Sequence, residues 1–287
     1  MSADFEAQAK AFADQIEAEL ADGRLNFPVS MEVSLRIKRL ADDPATTLDQ
    51  ITTVVQAEPV LSAKTLRMAN TVALNPYGAQ IDTVRDAVRR IGLLSLRSLA
   101  FAVASEQLAA DHRSPNMRTL AAGLWMRSVD IAAWSFALAR QTRVANPDAA
   151  MLAGMMTHIG QFFLIARASD YPEMERNIDR FALFVEGWQQ RVGVAVLEAF
   201  DLPENICDSF DPAQAYYGQW PPTDLHQLVH LAAQVSEQPN PFDGLLGRTV
   251  RRGRAAVVDM GVDEAALGTL LDASHAERDL ILSAVRG

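Results

Sequence analysis

Thr47-Leu-Asp-Gln50-Ile-Thr-Thr-Val-Val-Gln-Ala-Glu58-Pro59-Val-Leu-Ser-Ala-Lys64-Thr-Leu-Arg-Met-Ala-Asn70 reads as two short helices in succession. Thr47 and Gln50 have the spacing of a capping box, in which hydroxyl and carboxamide each satisfy an orphan amide of the first turn. Ile51, Val54 and Val55, then Leu61, Thr65 and Met68, recur at helical rather than alternating spacing. Pro59 follows Glu58 at the first turn of the second helix, where its missing N–H costs nothing and its fixed φ favours initiation. Asn70, near the end of that helix, is expected to brace the local backbone rather than bind a ligand.

The same periodicity extends outward in both directions, through Phe5, Phe12, Ile16 and Leu20 and through Val33, Ile37 and Leu40. Period-two alternation is absent, so the fold class is all-α. Asp82 is the expected N-cap of a helix over 83–91, and Gly92 the left-handed residue that stops it. Longer helices are predicted over 120–141, 149–168 and 180–200, then a loop over 211–222, then helices over 226–236, 242–259 and 263–285. The break around Asp111–Pro115 is the best internal boundary.

A chain of 287 residues, 49% hydrophobic and 22% charged, can bury one or two cores. Its net charge of −10 repels phosphate backbones and anionic lipid, which disfavours nucleic acid and membrane surfaces as partners. The single cysteine, Cys207, excludes an internal disulfide and suits a reducing compartment, so a cytoplasmic location is expected. No apolar run approaches the roughly 18 residues of a membrane span. The N-terminal stretch carries Asp4, Glu6, Asp14 and Glu17, unlike the basic, apolar opening of a signal peptide. No Gly-rich phosphate loop or nucleophile elbow is present.

Phe27-Pro28, Leu40-Ala-Asp-Asp-Pro44, the run Val54 to Asn70, and Ile81-Asp-Thr-Val84 through Ile91-Gly92 stand in a telling order. They are followed by Leu124-Trp125, Ala153-Gly-Met-Met-Thr157-His158-Ile159-Gly160, Val192-Gly193 and Leu202-Pro203-Glu204. In order and spacing these segments resemble the HDOD domain, the HD-related output domain of bacterial signalling proteins. The resemblance runs from Asn26 to Ser236. It implies a two-lobed helical bundle: an amphipathic helix over 1–25, a domain over 26–240 split into lobes 26–112 and 113–240, and C-terminal helices over 241–287 packed on it. Pro59, Asn70, Gly92, Gly160, Gly193 and Pro203 are the motif positions expected to be structural.

The HD superfamily to which that domain is related includes metal-dependent phosphohydrolases, and the resemblance implies where their ligands would stand. Arg127 occupies one such position, Thr157 and His158 replace the His-Asp doublet, Gln189 replaces a further His, and Ala213-Gln214 replaces a His pair. No cofactor or metal is therefore expected, and no catalytic residue. The implied function is a regulatory module acting by protein–protein contact with other signalling proteins in trans, or as a homodimer. The alternative is a sensor binding a nucleotide or other anion in a vestigial pocket near Arg127, Thr157, His158, Gln189 and Gln214; a metal-dependent phosphohydrolase ranks third.

The residues themselves support further expectations. Arg127 falls between Leu124 and Ile131 on an inward stripe, where a charge needs a partner such as Asp130 or Glu186. His158 reads as a hydrogen-bonded core imidazole. His226 and His230 stand four apart but lack an acidic partner in register, a weak metal pattern. Arg248, Arg251 and Arg252 would share one helical face with Arg254 at its edge, expected to be a solvated, ion-paired surface or a docking site for an acidic partner. The stripe Phe5, Phe12, Ile16 and Leu20 either packs on its own bundle or forms an interaction surface.

Overall fold

A computed structural model describes residues 2–27, 31–76, 78–111, 114–200, 202, 204–210 and 220–286. Pro28, His112, Pro203, Ala213, Gln214 and most of the expected 211–222 loop lie outside the described residues. The chain begins with α1 (Ser2–Ala21), α2 (Glu32–Asp42), α3 (Leu48–Gln56), α4 (Pro59–Ala69) and α5 (Val84–Asp111). It continues with α6 (Pro115–Thr142), α7 (Pro147–Met156), α8 (Ile159–Ala168), α9 (Pro172–Arg176), α10 (Ile178–Ala199) and α11 (Glu204–Asp208). The last elements are α12 (Leu225–Val235), α13 (Pro241–Leu245), α14 (Arg254–Asp259) and α15 (Glu264–Arg286). No strand occurs among the described residues, so the fold is all-α.

Both halves of the predicted capping box form at Thr47 and Gln50. Pro59 begins α4. Asn70 accepts from the Ile81 amide at 2.8 Å and donates to the Ile81 and Leu66 carbonyls at 2.6 and 3.0 Å. Its carboxamide thus ties the segment after α4 back to that helix, as a backbone brace should. The N-cap of α5 is Thr83, not Asp82: the Thr83 hydroxyl accepts from the Asp86 amide at 3.1 Å and donates to the Asp86 carboxylate at 2.7 Å.

Gly92 interrupts helical geometry at positive φ, as a helix-stopping glycine does, but helix resumes directly after it, so α5 is two helical stretches joined by a kink at φ 74° and ψ 172°. That backbone region is open essentially to glycine alone, and a Cβ at Gly92 would meet nothing within 4 Å. The cost of substitution is then purely conformational. Gly92→Val should destabilise by about 1–2 kcal/mol, and an unchanged thermal unfolding midpoint would contradict the assignment.

At the centre, α6 packs against α5, α7, α12 and α15. Every residue from Ser128 to Ala139 is buried, so this stretch touches protein on all sides. Small side chains permit the approach: a Cβ on Gly154 of α7 would lie 2.9 Å from the Ala132 Cα of α6. The predicted helix over 149–168 is instead two, α7 and α8, bent by 41°. At the break the Thr157 hydroxyl donates to the Gly154 carbonyl at 2.9 Å, and His158 leaves helical geometry at φ −114° and ψ 22°. No single helix among the described residues is long and apolar enough to cross a membrane.

The N-terminal stripe turns inward, which corrects its reading as an interaction surface. Phe12 is fully buried, stacked on Tyr171 at 4.5 Å and Phe184 at 4.9 Å between ring centroids, and Phe5 and Ile16 are buried with it. Leu20 is partly buried against the same core. The buried Arg167 of α8 then clamps α1, donating to both carboxylate oxygens of Glu19 at 3.0 Å and to the Asn26 carbonyl. A bidentate pair of this kind fixes orientation as well as charge.

The expected helix over 242–259 is broken into α13 and α14, with Gly247 and Gly253 at positive φ between them. Arg248, Arg251 and Arg252 therefore lie in irregular chain and share no helical face. Each is spent on this chain: Arg248 pairs with Glu186, Arg251 with Asp259, Arg252 with Asp243, and Arg254 of α14 with Glu264. The ion pairs match the solvated reading of this basic stretch; its placement on one helix does not stand.

Candidate functional site

Three elements meet where the sequence places the vestigial pocket. Arg127 comes from α6, His158 caps α8, and Gln189 lies on α10. The helices α8 and α10 approach closely because Gly160 carries no side chain: a Cβ there would stand 2.0 Å from the Gln189 carbonyl oxygen. A Cβ on Gly193 would stand 2.2 Å from the Phe210 ring, which packs against α10 after α11.

His158 is almost wholly buried. Arg127 Nε lies 3.3 Å from His158 Nε2, and the Ser128 hydroxyl 3.3 Å from His158 Nδ1. A guanidinium only donates. Nε2 is therefore the acceptor, the imidazole proton sits on Nδ1, and that N–H donates to Ser128. Burial first, and the neighbouring Arg127 second, hold the His158 pKa well below its ordinary value. Both nitrogens are committed and the ring is neutral, so His158 offers no lone pair to a metal and no free base to a water.

Arg127 does not pair with Asp130 or Glu186, as the sequence suggested. Its guanidinium donates to the Gln238 carbonyl at 2.5 Å and the Ala233 carbonyl at 3.3 Å, both at or beyond the end of α12. Burial and the nearby Arg252 push its pKa down to about 10, against opposing contributions from Asp243 and Asp130. The carboxylates are engaged elsewhere: Glu186 holds Arg248, while the fully buried Asp130 accepts from Ser236 at 2.6 Å and from Arg278.

In front of His158 lies a cavity of about 210 Å³. It is lined by His158, Gln161, Glu186 and Gln189 on one side and by Asn240, Asp243 and Arg248 on the other. Arg127 and Thr157 are not among its walls. Arg127 lies behind His158, and the Thr157 hydroxyl is turned back onto its own helix. Sequence reading missed Gln161, Asn240 and Asp243, and took Arg248 for part of a basic surface rather than a wall of this cavity. Nothing in the local pattern at Asn240 or Asp243 signals that this segment returns over α8 and α10.

The chain matches the HDOD domain model over residues 27–215. It belongs to the HDOD family. A solved HDOD domain protein from Geobacter sulfurreducens superposes with a TM-score of 0.54 at 21% identity, covering 97% of this chain and 96% of that one. A structure from Shewanella amazonensis SB2B, of a protein proposed to be a metal-dependent phosphohydrolase, gives a TM-score of 0.64 at 24% identity over 96% of this chain and 99% of that one. At such identities these likenesses show the fold. A protein of Treponema pallidum (strain Nichols) is 22% identical over 212 residues, and the match covers 68% of this chain but only 39% of that relative's length.

The metal centre known from HD-type hydrolases does not fit the HDOD side chains in place here. Arg127 only donates, and both His158 nitrogens have hydrogen-bond partners. Among the described residues no group of three or more His, Cys, Asp or Glu side chains is arranged to hold a metal ion. The His226 and His230 rings lie 4.4 Å apart, and burial, then His226, pushes the His230 pKa down to about 4.

Two histidines whose folded pKa values are depressed impose a sign on acid stability. Between the unfolded value near 6.5 and the lower folded value, the unfolded chain binds more protons. Stability should therefore be full above about pH 7 and fall as pH drops from 6.5 towards 5. His158→Gln should flatten that slope, measured as the thermal midpoint against pH. An unchanged slope would contradict the neutral, buried imidazole.

Proposed function

We propose that this HDOD protein is a non-catalytic regulatory module of bacterial signal transduction, acting in the cytoplasm by contact with other signalling proteins in trans. The observation that carries the non-catalytic part is the Arg127–His158–Ser128 chain, which uses both imidazole nitrogens and places a cation where a metal ligand would be needed. Family membership supports the regulatory part. A nucleotide or other anion in the vestigial pocket has less support, since Arg127 is held by backbone carbonyls and each cationic side chain at the cavity has its own carboxylate.

The test pairs two measurements on the full chain. Protein incubated with manganese, iron or zinc should retain less than stoichiometric metal and hydrolyse no phosphodiester substrate. Affinity purification from the native host should recover signalling proteins, and light scattering should report whether a homodimer forms. Stoichiometric metal lost in His158→Ala, together with hydrolysis, would overturn the non-catalytic reading. Recovery of the chain alone, as a monomer, would overturn the contact reading.

A further inference from the structure

The cavity before His158 is walled on one side by chain that the HDOD match over 27–215 does not include. Residues 236–248 leave the end of α12, pass over α8 and α10, and are held at four points. Ser236 donates to the buried Asp130, Arg127 holds the Gln238 carbonyl, Asn240 donates to Gln161 Oε1 at 3.1 Å, and Arg248 pairs with Glu186. These contacts leave a polar cleft, partly open to solvent, rather than a filled core. Its charges cancel in pairs: Glu186 with Arg248, and Asp243 with Arg252. An ionic guest would lose its hydration without a free countercharge to replace it.

What the protein leaves open is amide capacity. Gln161 is mostly buried, and no hydrogen bond within the described residues engages its NH₂ group once Oε1 accepts from Asn240, so that group is free to face the cleft. The Gln189 side chain has no hydrogen bond among the described residues. Two carboxamides thus present free donors and an acceptor to one space of about 210 Å³. That volume is below the roughly 300 Å³ at which drug-sized pockets begin, and equals about seven waters at 30 Å³ each. Val185, Ala182 and Phe242 supply apolar walls beside the amides.

We propose that this cavity binds a small uncharged molecule bearing an adjacent donor and acceptor, a carboxamide or lactam edge of nucleobase size, read by Gln161 and Gln189 beneath the 236–248 segment. A planar amide edge matches a side-chain carboxamide donor for acceptor, and the apolar walls accept its faces. The site is separate from the protein–protein reading above and stands or falls independently of it.

The test uses full-length protein and three neutral probes, nicotinamide, uracil and hypoxanthine, followed by saturation-transfer NMR and titration calorimetry. At least one should bind saturably. Gln189→Met, which keeps side-chain length and removes the amide, should weaken that binding about tenfold, while Gln141→Met on the remote surface of α6 leaves it unchanged. Inorganic phosphate and adenosine monophosphate should compete poorly. Absence of saturable binding by all three probes overturns the proposal and leaves the cavity to water. Binding indifferent to Gln189→Met, or stronger for phosphate than for any neutral probe, overturns it as well. If Gln189→Met unfolds, Gln161→Met carries the same comparison.

Discussion

Gly160→Ala should destabilise this protein by about 3 kcal/mol or more, a fall of roughly 6–12 °C in the thermal midpoint. The added methyl would sit 2.0 Å from the Gln189 carbonyl oxygen and 3.0 Å from the Gly193 nitrogen, both backbone atoms that cannot rotate away. The only relief is separation of α8 from α10, which opens the contact between two buried helix faces. Gly187→Ala on α10 is the control, since a Cβ there meets nothing within 4 Å. Removing an exposed mid-helix glycine should raise stability by roughly 0.5–1 kcal/mol. Two chemically identical substitutions should therefore move the midpoint in opposite directions. Equal effects would refute the close approach of α8 and α10.

Arg278→Met should cost about 3–5 kcal/mol, because it strands a fully buried carboxylate. Asp130 of α6 has no exposed surface and is satisfied by Ser236 and by Arg278 of α15. Removing the guanidinium leaves the desolvation of Asp130 in place without its compensation. Arg286 also faces that carboxylate and softens the loss, which places the expectation at the lower end of the range. The double variant Asp130→Asn/Arg278→Met should recover most of the stability, since a neutral amide can still bond Ser236. Chemical denaturation of both variants measures the difference. A double variant no more stable than the single one would show that Arg278 contributes by packing over Trp134, 5.4 Å from its ring, and not by charge.

The helices over 241–287 are expected to pack on the domain, but the sequence does not say against which elements. In the structure α15 packs on both α6 and α4, and the buried Lys64 of α4 reaches the Val285 carbonyl and Glu106. For the N-terminal stripe the sequence leaves own-bundle packing and an interaction surface both open, and tertiary contact decides for packing: Phe12 stacks on two rings contributed by residues more than 150 positions away. Chain outside a shared motif can complete the same core.

Helical periodicity and the Thr47–Gln50 box show an all-α fold because each depends on residues within a turn or two of one another, and the order of the motif segments along the chain points to the HDOD fold. The roles of Asn70, Gly160 and Gly193, and the positive φ of Gly92, were legible for the same reason or through the motif. The fate of Arg127 was not. The sequence offers Asp130 three residues on and Glu186 as partners, but its guanidinium is taken by carbonyls at Ala233 and Gln238, more than 100 residues on. With the guanidinium donating to His158 Nε2 and Ser128 at Nδ1, both imidazole nitrogens are engaged through a contact that no local pattern contains. The far wall of the cavity belongs to the same class: Asn240, Asp243 and Arg248 meet α8 and α10 only because the chain folds back over them after α12. Local free energies write helices and caps into the sequence, whereas the partner of a buried charge is decided by which distant groups the packed core leaves within reach.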